Sequence, residues 1–188
     1  MYESLERNEG MKWIGGCLVI LGSTGFGYYM AQQWKLRLKC LEQLRQMIYF
    51  LKGEILYGHT ALGPALERIG GRFKNTEGEK GLSALPLFFL AVAKGVQRQQ
   101  GELFSDIWKK ELKQLEDTPL KEEDISSLKG LGDHLGYLDL TMQERNLLLY
   151  LEQLDGQISY LRTHLKERTK LYTSLGIMGG LFLTVAML

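Results

Sequence analysis

Few residues in this 188-residue chain are of types that carry chemistry: three histidines, two cysteines and a scatter of carboxylates. His59, His134 and His164 lie far apart and next to no carboxylate at metal-ligand spacing, so surface or capping roles fit them better than ligation. Cys17 falls in an apolar segment and Cys40 beside a Lys/Arg cluster. With no CxxC pair and no Cys/His cluster, they offer neither a metal site nor a disulfide framework. Gly22-Ser23-Thr24-Gly25-Phe26-Gly27 has the glycine content of a nucleotide loop, but no strand leads into it, and GxxxxGK is absent. Asp106, Glu111, Glu116 and Glu122 to Asp124 fall on predicted helix surfaces, where carboxylates are usually solvated faces rather than acid/base pairs. The residues therefore support no catalytic constellation, and no enzyme activity, cofactor or metal is expected.

One spacing does suit recognition. In Glu54-Ile55-Leu56-Tyr57-Gly58-His59-Thr60-Ala61-Leu62, a long helix should end at Glu54 to Leu56, Gly58 should permit the backbone reversal through positive φ, and Thr60 should cap the next helix. Structurally this is a helix-turn-helix corner. Functionally, Glu54, Tyr57, Gly58, His59 and Thr60 form a candidate partner-binding site, with Tyr57 and His59 presented outward. The two readings are compatible.

The elements that hold this corner follow from composition and patterning. With 45% hydrophobic residues, 24% charged and a net charge of +1, the chain should fold and should not bind nucleic acid by bulk charge. The mean hydropathy of -0.14 hides two uncharged blocks at its ends. Residues 13–34 would span about 33 Å as a helix, enough for a bilayer core roughly 30 Å thick, and residues 171–188 form a second block. Trp13, Tyr28, Tyr29 and Trp34 suit headgroup level. A cleaved signal peptide is the rival for the first block, but the apolar region is long and no small-x-small site precedes an ordinary mature start. Ile14-Gly15-Gly16-Cys17 lacks the preceding apolar stretch that lipoprotein processing requires. Two transmembrane helices, 13–34 and 171–188, are thus expected. Ser23 with Gly27 and Gly176 with Gly180, each pair four apart, would let helix backbones pack closely in the membrane.

Lys35, Arg37, Lys39 and Arg45 follow the first block, and Arg162, Lys166, Arg168 and Lys170 precede the second, so residues 35–170 should face the cytosol. Residues 1–12 form an N-terminal tail. Met1 to Gly10 reads as disordered or as sequence before a start at Met11, and the sequence does not separate the two.

Between the blocks, Leu41, Leu44, Ile48, Leu51 and Ile55 alternate steps of three and four, as do Leu147, Leu151, Leu154, Ile158, Leu161 and Leu165. Two long helices packing antiparallel through these seams is the economical arrangement, with a homodimeric coiled coil as its rival. Shorter helices should begin at Thr60 and end at Gly70-Gly71, begin near Pro86 with Leu87, Leu90, Ala91 and Val96 apolar, and cover Leu103 to Leu115. Further starts are predicted at Thr118-Pro119, leading into Leu120, Ile125, Leu128 and Leu131, and at a Thr141/Glu144 capping box. Asn75 to Gly81 reads as an exposed loop. The fold class is all-α, a cytosolic bundle of about six helices between two membrane helices.

The Glu54 to Leu62 segment resembles the stage III sporulation protein AB family, whose pattern reads E-I-x-Y-G-x-T-P-L; Ala61 stands where proline is usual. The likeness continues through Leu131-Gly132, Leu135-Gly136, Asp139, Gln143 and Ser174-Leu175-Gly176, covering nearly the whole chain from Met11. That family is similar in turn to the inner-membrane platform module of type II secretion and type IV pilus machines. The resemblance implies a membrane assembly component of a channel complex between mother cell and forespore. A secretion-type ATPase and other stage III sporulation channel proteins would be its partners, and the mother-cell membrane facing the forespore its place. The alternative is a membrane-anchored helical adaptor or dimerising sensor, with a homo-oligomer as its working state.

Overall fold

A computed structural model describes residues 2–74, 81–98, 101–136 and 139–187, the side chains of 2–14, 16, 17, 186 and 187 excepted. Among these residues the chain is all-α: α1 Tyr2–Leu56, α2 Leu62–Phe73, α3 Ala84–Gln97, α4 Phe104–Glu111, a 3-10 segment Leu112–Leu115, α5 Glu122–Leu135 and α6 Leu140–Met187. The chain divides into two compact units, one of residues 1–35 and 162–188 and one of 36–161, so α1 and α6 each contribute to both.

In the unit of 36–161, the two seams read from periodicity are interior. Leu41, Leu44, Ile48 and Leu51 have no exposed surface, and Leu147, Leu151, Leu154, Ile158 and Leu161 are buried. Burial is worth about 1.5–3 kcal/mol for each such side chain, which makes these seams a large part of the unit's stability. The side chains are covered within one chain, so a coiled-coil homodimer through these same seams is not the arrangement. Arg45 donates to the Asp155 carboxylate and ties α1 to α6 at their rim. α2 packs on α3, α3 on α4 and the 3-10 segment, and α4 on α5.

Their common centre is Trp108, fully buried, with Phe88, Phe104 and Phe89 rings at 4.8, 5.6 and 6.0 Å. Its indole Nε1–H donates to the Leu128 carbonyl at 2.9 Å, satisfying the one polar atom the ring brings inside. Gly132 lies flat against this ring: a Cβ there would sit 2.1 Å from Trp108 Cδ1.

Helix boundaries depart from the sequence expectations at several points. α2 runs through Gly70-Gly71 to Phe73, because Gly70 serves close packing; a Cβ would sit 2.6 Å from Leu90 Cγ and 2.9 Å from the Pro86 carbonyl. α3 buries Leu85, Phe88, Phe89, Val92 and Ala93 and exposes Leu87, since a segment apolar on nearly every side carries no phase to read. α5 starts at Glu122, not at Pro119: the Lys121 N–H donates to Asp124 Oδ2 at 2.9 Å, while Thr118 Oγ1 donates to the Leu115 carbonyl at 2.6 Å in a preceding turn. At the start of α6, Asp139 replaces the Thr141/Glu144 box, its Oδ1 accepting the Thr141 N–H at 2.9 Å. The described backbone is helical from Tyr2, so residues 2–10 continue α1 instead of forming a disordered tail. Of the expected loop Asn75 to Gly81, residues 75–80 lie outside the described residues.

Of the two expected membrane spans, 13–34 and 171–188, the first forms part of α1 and residues 171–187 of the second form part of α6, residue 188 lying outside the described residues. Among the described residues, however, no helix is long and apolar enough to cross a membrane. Gly15, Gly22, Gly25 and Gly27 with Tyr28 and Tyr29 dilute the first block, and Gly176, Gly179 and Gly180 with Thr173 and Ser174 dilute the second.

Candidate functional site

The corner between α1 and α2 is built by hydrogen bonds that stop one helix and aim the next. The Tyr57 and Gly58 N–H groups both donate to the Gly53 carbonyl, at 3.0 and 3.2 Å, and the Thr60 N–H donates to the Glu54 carbonyl at 3.0 Å. These bonds take up carbonyls left over at the helix end. The left-handed residue is His59, at φ 47, and not Gly58, as the sequence suggested. Gly58 is needed for a different reason: a Cβ on it would sit 2.7 Å from the Glu54 carbonyl oxygen and 3.1 Å from Thr60 Oγ1.

Thr60 does not cap α2, whose N-cap is Ala61. Its hydroxyl donates instead to Glu54 Oε2 at 3.0 Å, and Arg68 Nη1 donates to the same oxygen at 2.8 Å. One carboxylate thus clasps the end of α1, the corner and α2. Tyr57 is 79% exposed and His59 is also exposed. Beside them a pocket of about 250 Å³ is lined by Ile55, His59, Thr60, Ala61, Leu62, Leu140 and Gln143. Glu54, Tyr57, Gly58, His59 and Thr60 are therefore together, on a backbone held from both sides. Among the described residues no group of three His, Cys, Asp or Glu could hold a metal. What the corner offers is an exposed aromatic ring and an imidazole beside a small cavity.

A second polar cluster escaped the sequence reading. Arg37 and Asp124, assigned to a basic flank and a solvated face, are 6% and 2% exposed. The guanidinium grips the carboxylate with a two-pronged fork, Nε to Oδ2 and Nη2 to Oδ1, both at 2.8 Å, and Nη2 also donates to Glu123 Oε1 at 2.7 Å. Burial works against the Arg37 charge, but the bonds to Asp124 and Glu123 outweigh it and raise the guanidinium pKa. Near this pair the Tyr150 hydroxyl is buried, with no hydrogen-bond partner among the described residues. A signal was present: Arg37 continues the Leu41, Leu44, Ile48 seam by one step of four, and Asp124 does the same for Leu128 and Leu131.

In the unit of 1–35 and 162–188, Ser23, Gly27, Gly176 and Gly180 meet where α1 and α6 cross antiparallel. A Cβ on Gly27 would lie 2.6 Å from the Tyr172 carbonyl, and one on Gly176 would lie 2.8 Å from the Ser23 carbonyl. For Gly180 the distance to Ile20 Cα would be 3.1 Å. Ser23 Oγ donates to the Gly176 carbonyl at 2.6 Å across the crossing. Farther along, the Trp34 and Tyr172 rings stack at 6.4 Å, with the Arg168 guanidinium 4.8 Å from the Trp34 ring centre.

Comparison with known proteins gives one consistent answer. The family model described as stage III sporulation protein AB matches residues 12–188. The stage III sporulation protein AB of Bacillus subtilis (strain 168) is 28% identical over 180 residues, which make up 95% of this chain and 99% of that protein. A solved structure of a stage III sporulation protein AB is similar at a TM-score of 0.58 and 25% identity, covering 69% of this chain and 96% of that one.

Proposed function

The chain belongs to the stage III sporulation protein AB family, and from that premise we propose that it serves sporulation as a non-catalytic membrane platform on which a channel complex assembles. The corner at Glu54 to Thr60 is its docking point for a cytosolic partner, a secretion-type ATPase. The observation that carries the docking role is the contrast inside the corner: Tyr57 stands 79% exposed while Glu54, Thr60 and Arg68 around it are tied to one another. A large ring held in water on a fixed backbone costs little further ordering when it is covered, which is what a binding hot spot requires.

Membrane residence draws support from the register of the two uncharged blocks. The stacked Trp34 and Tyr172 set the inner end of one block beside the start of the other, and the Ser23/Gly176 bond aligns their middles. Around that crossing Leu18, Leu21, Phe26, Leu175, Met178, Phe182 and Val185 are all exposed, an apolar sheath suited to acyl chains. Both blocks would span, with residues 35–170 in the cytosol of the mother cell. Tags placed after Leu188 and within Asn75 to Gly81 should then report opposite sides of the membrane, and protection of both on one side would overturn the topology.

The docking role is tested by Tyr57→Ala combined with His59→Ala. Circular dichroism should show an unchanged helix content, because both residues are exposed and lie between the helices, while partner recruitment and sporulation fail. Gly58→Val should instead damage the corner itself, driving a side chain into the Glu54 carbonyl. Normal partner binding and sporulation in the double variant would leave the corner a purely structural turn.

A further inference from the structure

The inner ends of the unit formed by 1–35 and 162–188 carry an unbalanced charge. Lys35, Arg162, Lys166, Arg168 and Lys170 are cationic, and Glu167 alone is acidic. Arg162, Lys166 and Lys170, all exposed, recur every four residues and share one side of α6. Arg168 lies on another side, over the face of Trp34, with Tyr172 stacked on the same ring. A guanidinium over a ring face still has its planar fork of N–H groups, which suits two parallel bonds to a phosphate. Directly beyond this collar the exposed surface turns apolar, at Leu171, Leu175 and Met178 on α6 and at Tyr28, Tyr29 and Phe26 on α1. Cations, two stacked amphipathic rings and then apolar side chains follow the same order as phosphate, glycerol and acyl chain in a lipid.

We propose that this collar binds the headgroup phosphate of an anionic phospholipid, with Arg168 fixed on Trp34 as the principal contact and Lys170, Lys166 and Lys35 as the surrounding charge. The proposal rests on the membrane reading above but goes beyond it, because a spanning protein needs no preference among lipids. Each lysine or arginine near an anionic surface adds to its attraction, and a two-pronged phosphate contact adds selectivity over a zwitterionic headgroup.

The test uses the full chain, reconstituted into vesicles of phosphatidylcholine alone and of phosphatidylcholine mixed with phosphatidylglycerol. Flotation after an alkaline carbonate wash reports insertion, and the lipid retained after gentle detergent extraction reports selectivity. Wild type should float with both vesicles and retain phosphatidylglycerol several-fold above its share in the mixture. Arg168→Gln with Lys170→Gln should float equally well and retain the two lipids in their bulk ratio, whereas Arg168→Lys should keep part of the enrichment. Flotation without any enrichment in wild type would overturn the lipid site and leave the membrane reading intact. Failure to float with either vesicle would overturn the membrane reading and the lipid site together. Enrichment that survives Arg168→Gln, Lys170→Gln and Lys166→Gln combined would place the selectivity elsewhere and overturn the assignment to this collar.

Discussion

In the unit of 36–161, the interior is filled by long side chains from every helix, with Trp108, Phe88 and Phe89 at its centre and leucine seams around them. Among the described residues of the unit of 1–35 and 162–188, the crossing at Ser23, Gly27, Gly176 and Gly180 is made by residues with almost no side chain, and large apolar groups such as Leu21, Phe26, Met178 and Phe182 stand on the outside. The first pattern is what water produces, since apolar area leaves the solvent by moving inward. In the second, backbone meets backbone, and apolar side chains facing outward lose nothing if the surroundings are themselves apolar. Two helices of one sequence thus take part in both kinds of packing, and the difference lies in where they place bulk.

The largest expected effect would strike the first pattern. Leu44→Asp or Leu154→Asp places a charge without a partner at a site with 0% or 1% exposure, a penalty of several kcal/mol that exceeds what a marginally stable domain can absorb. The cooperative melt followed by circular dichroism should disappear. A sharp melt in both variants would mean that this region does not depend on its seams.

Next in size is the buried ion pair. Asp124→Ala should cost about 3–5 kcal/mol, by leaving the buried Arg37 charge to the exposed Glu123 alone and removing the acceptor of the Lys121 N–H. Arg37→Met with Asp124→Leu should lose only about 0.5–2 kcal/mol, the worth of that α5 cap. If single and double variants lose equal stability, the pair supplies more than mutual neutralisation. For the second pattern, Gly27→Val should cost about 1–3 kcal/mol through overpacking against the Tyr172 carbonyl. It should lower resistance to dodecyl sulfate while the near-ultraviolet signal of the Trp108 core holds its melting temperature. Simultaneous loss of both signals would erase the distinction between the units.

The smallest effect has the opposite sign. Tyr150→Phe removes a buried hydroxyl that has no partner among the described residues, so it should stabilise the protein by about 1 kcal/mol in a thermal melt at neutral pH. Burial, and then the Asp124 charge, hold this phenol protonated well above the usual tyrosine range. The unfolded chain releases that proton from about pH 10 upward. Stability linked to Tyr150 is therefore complete below about pH 10 and lost as pH rises beyond it. The phenylalanine variant should show a shallower alkaline decline, and an unchanged slope would assign that decline to other groups.

Much of the fold was legible because water imposes a period: the Leu41 to Ile55 and Leu147 to Leu161 stripes mark buried faces residue by residue. The stripe in α3 was not, since a helix flanked by α2 and α4 is apolar on several sides and its pattern has no phase. Arg37 and Asp124 were misread because residue type was weighed before position, although both occupy seam positions. In the corner, the residues and their proximity were legible from Glu54 to Thr60, but not which of them bends. Left-handed φ falls on His59 because Gly58 is already committed to the close pass over Glu54, and that steric fact belongs to three dimensions. The residues that carry the family resemblance outside the corner find physical reasons in the structure as well: Gly132 lies under Trp108, Gly136 lies beside Phe104, Asp139 opens α6, and Gln143 Nε2 donates to the Leu135 carbonyl at 2.9 Å.

The fork between Arg37 and Asp124 also bears on how the folding chain finds its alignment. Seams of leucine spaced three and four apart repeat every turn or two, so helices that carry them can dock one repeat too far along with nearly the same burial. A single guanidinium and a single carboxylate, each occupying one rung of such a ladder, remove that degeneracy. In any shifted docking both charges face hydrocarbon, at about 3–5 kcal/mol for each one stranded. The pair would then act as a key against misaligned compact states during collapse, and replacing it with well-packed hydrophobic residues should yield a chain that loses little beyond the α5 cap once folded but is slower and more heterogeneous in getting there.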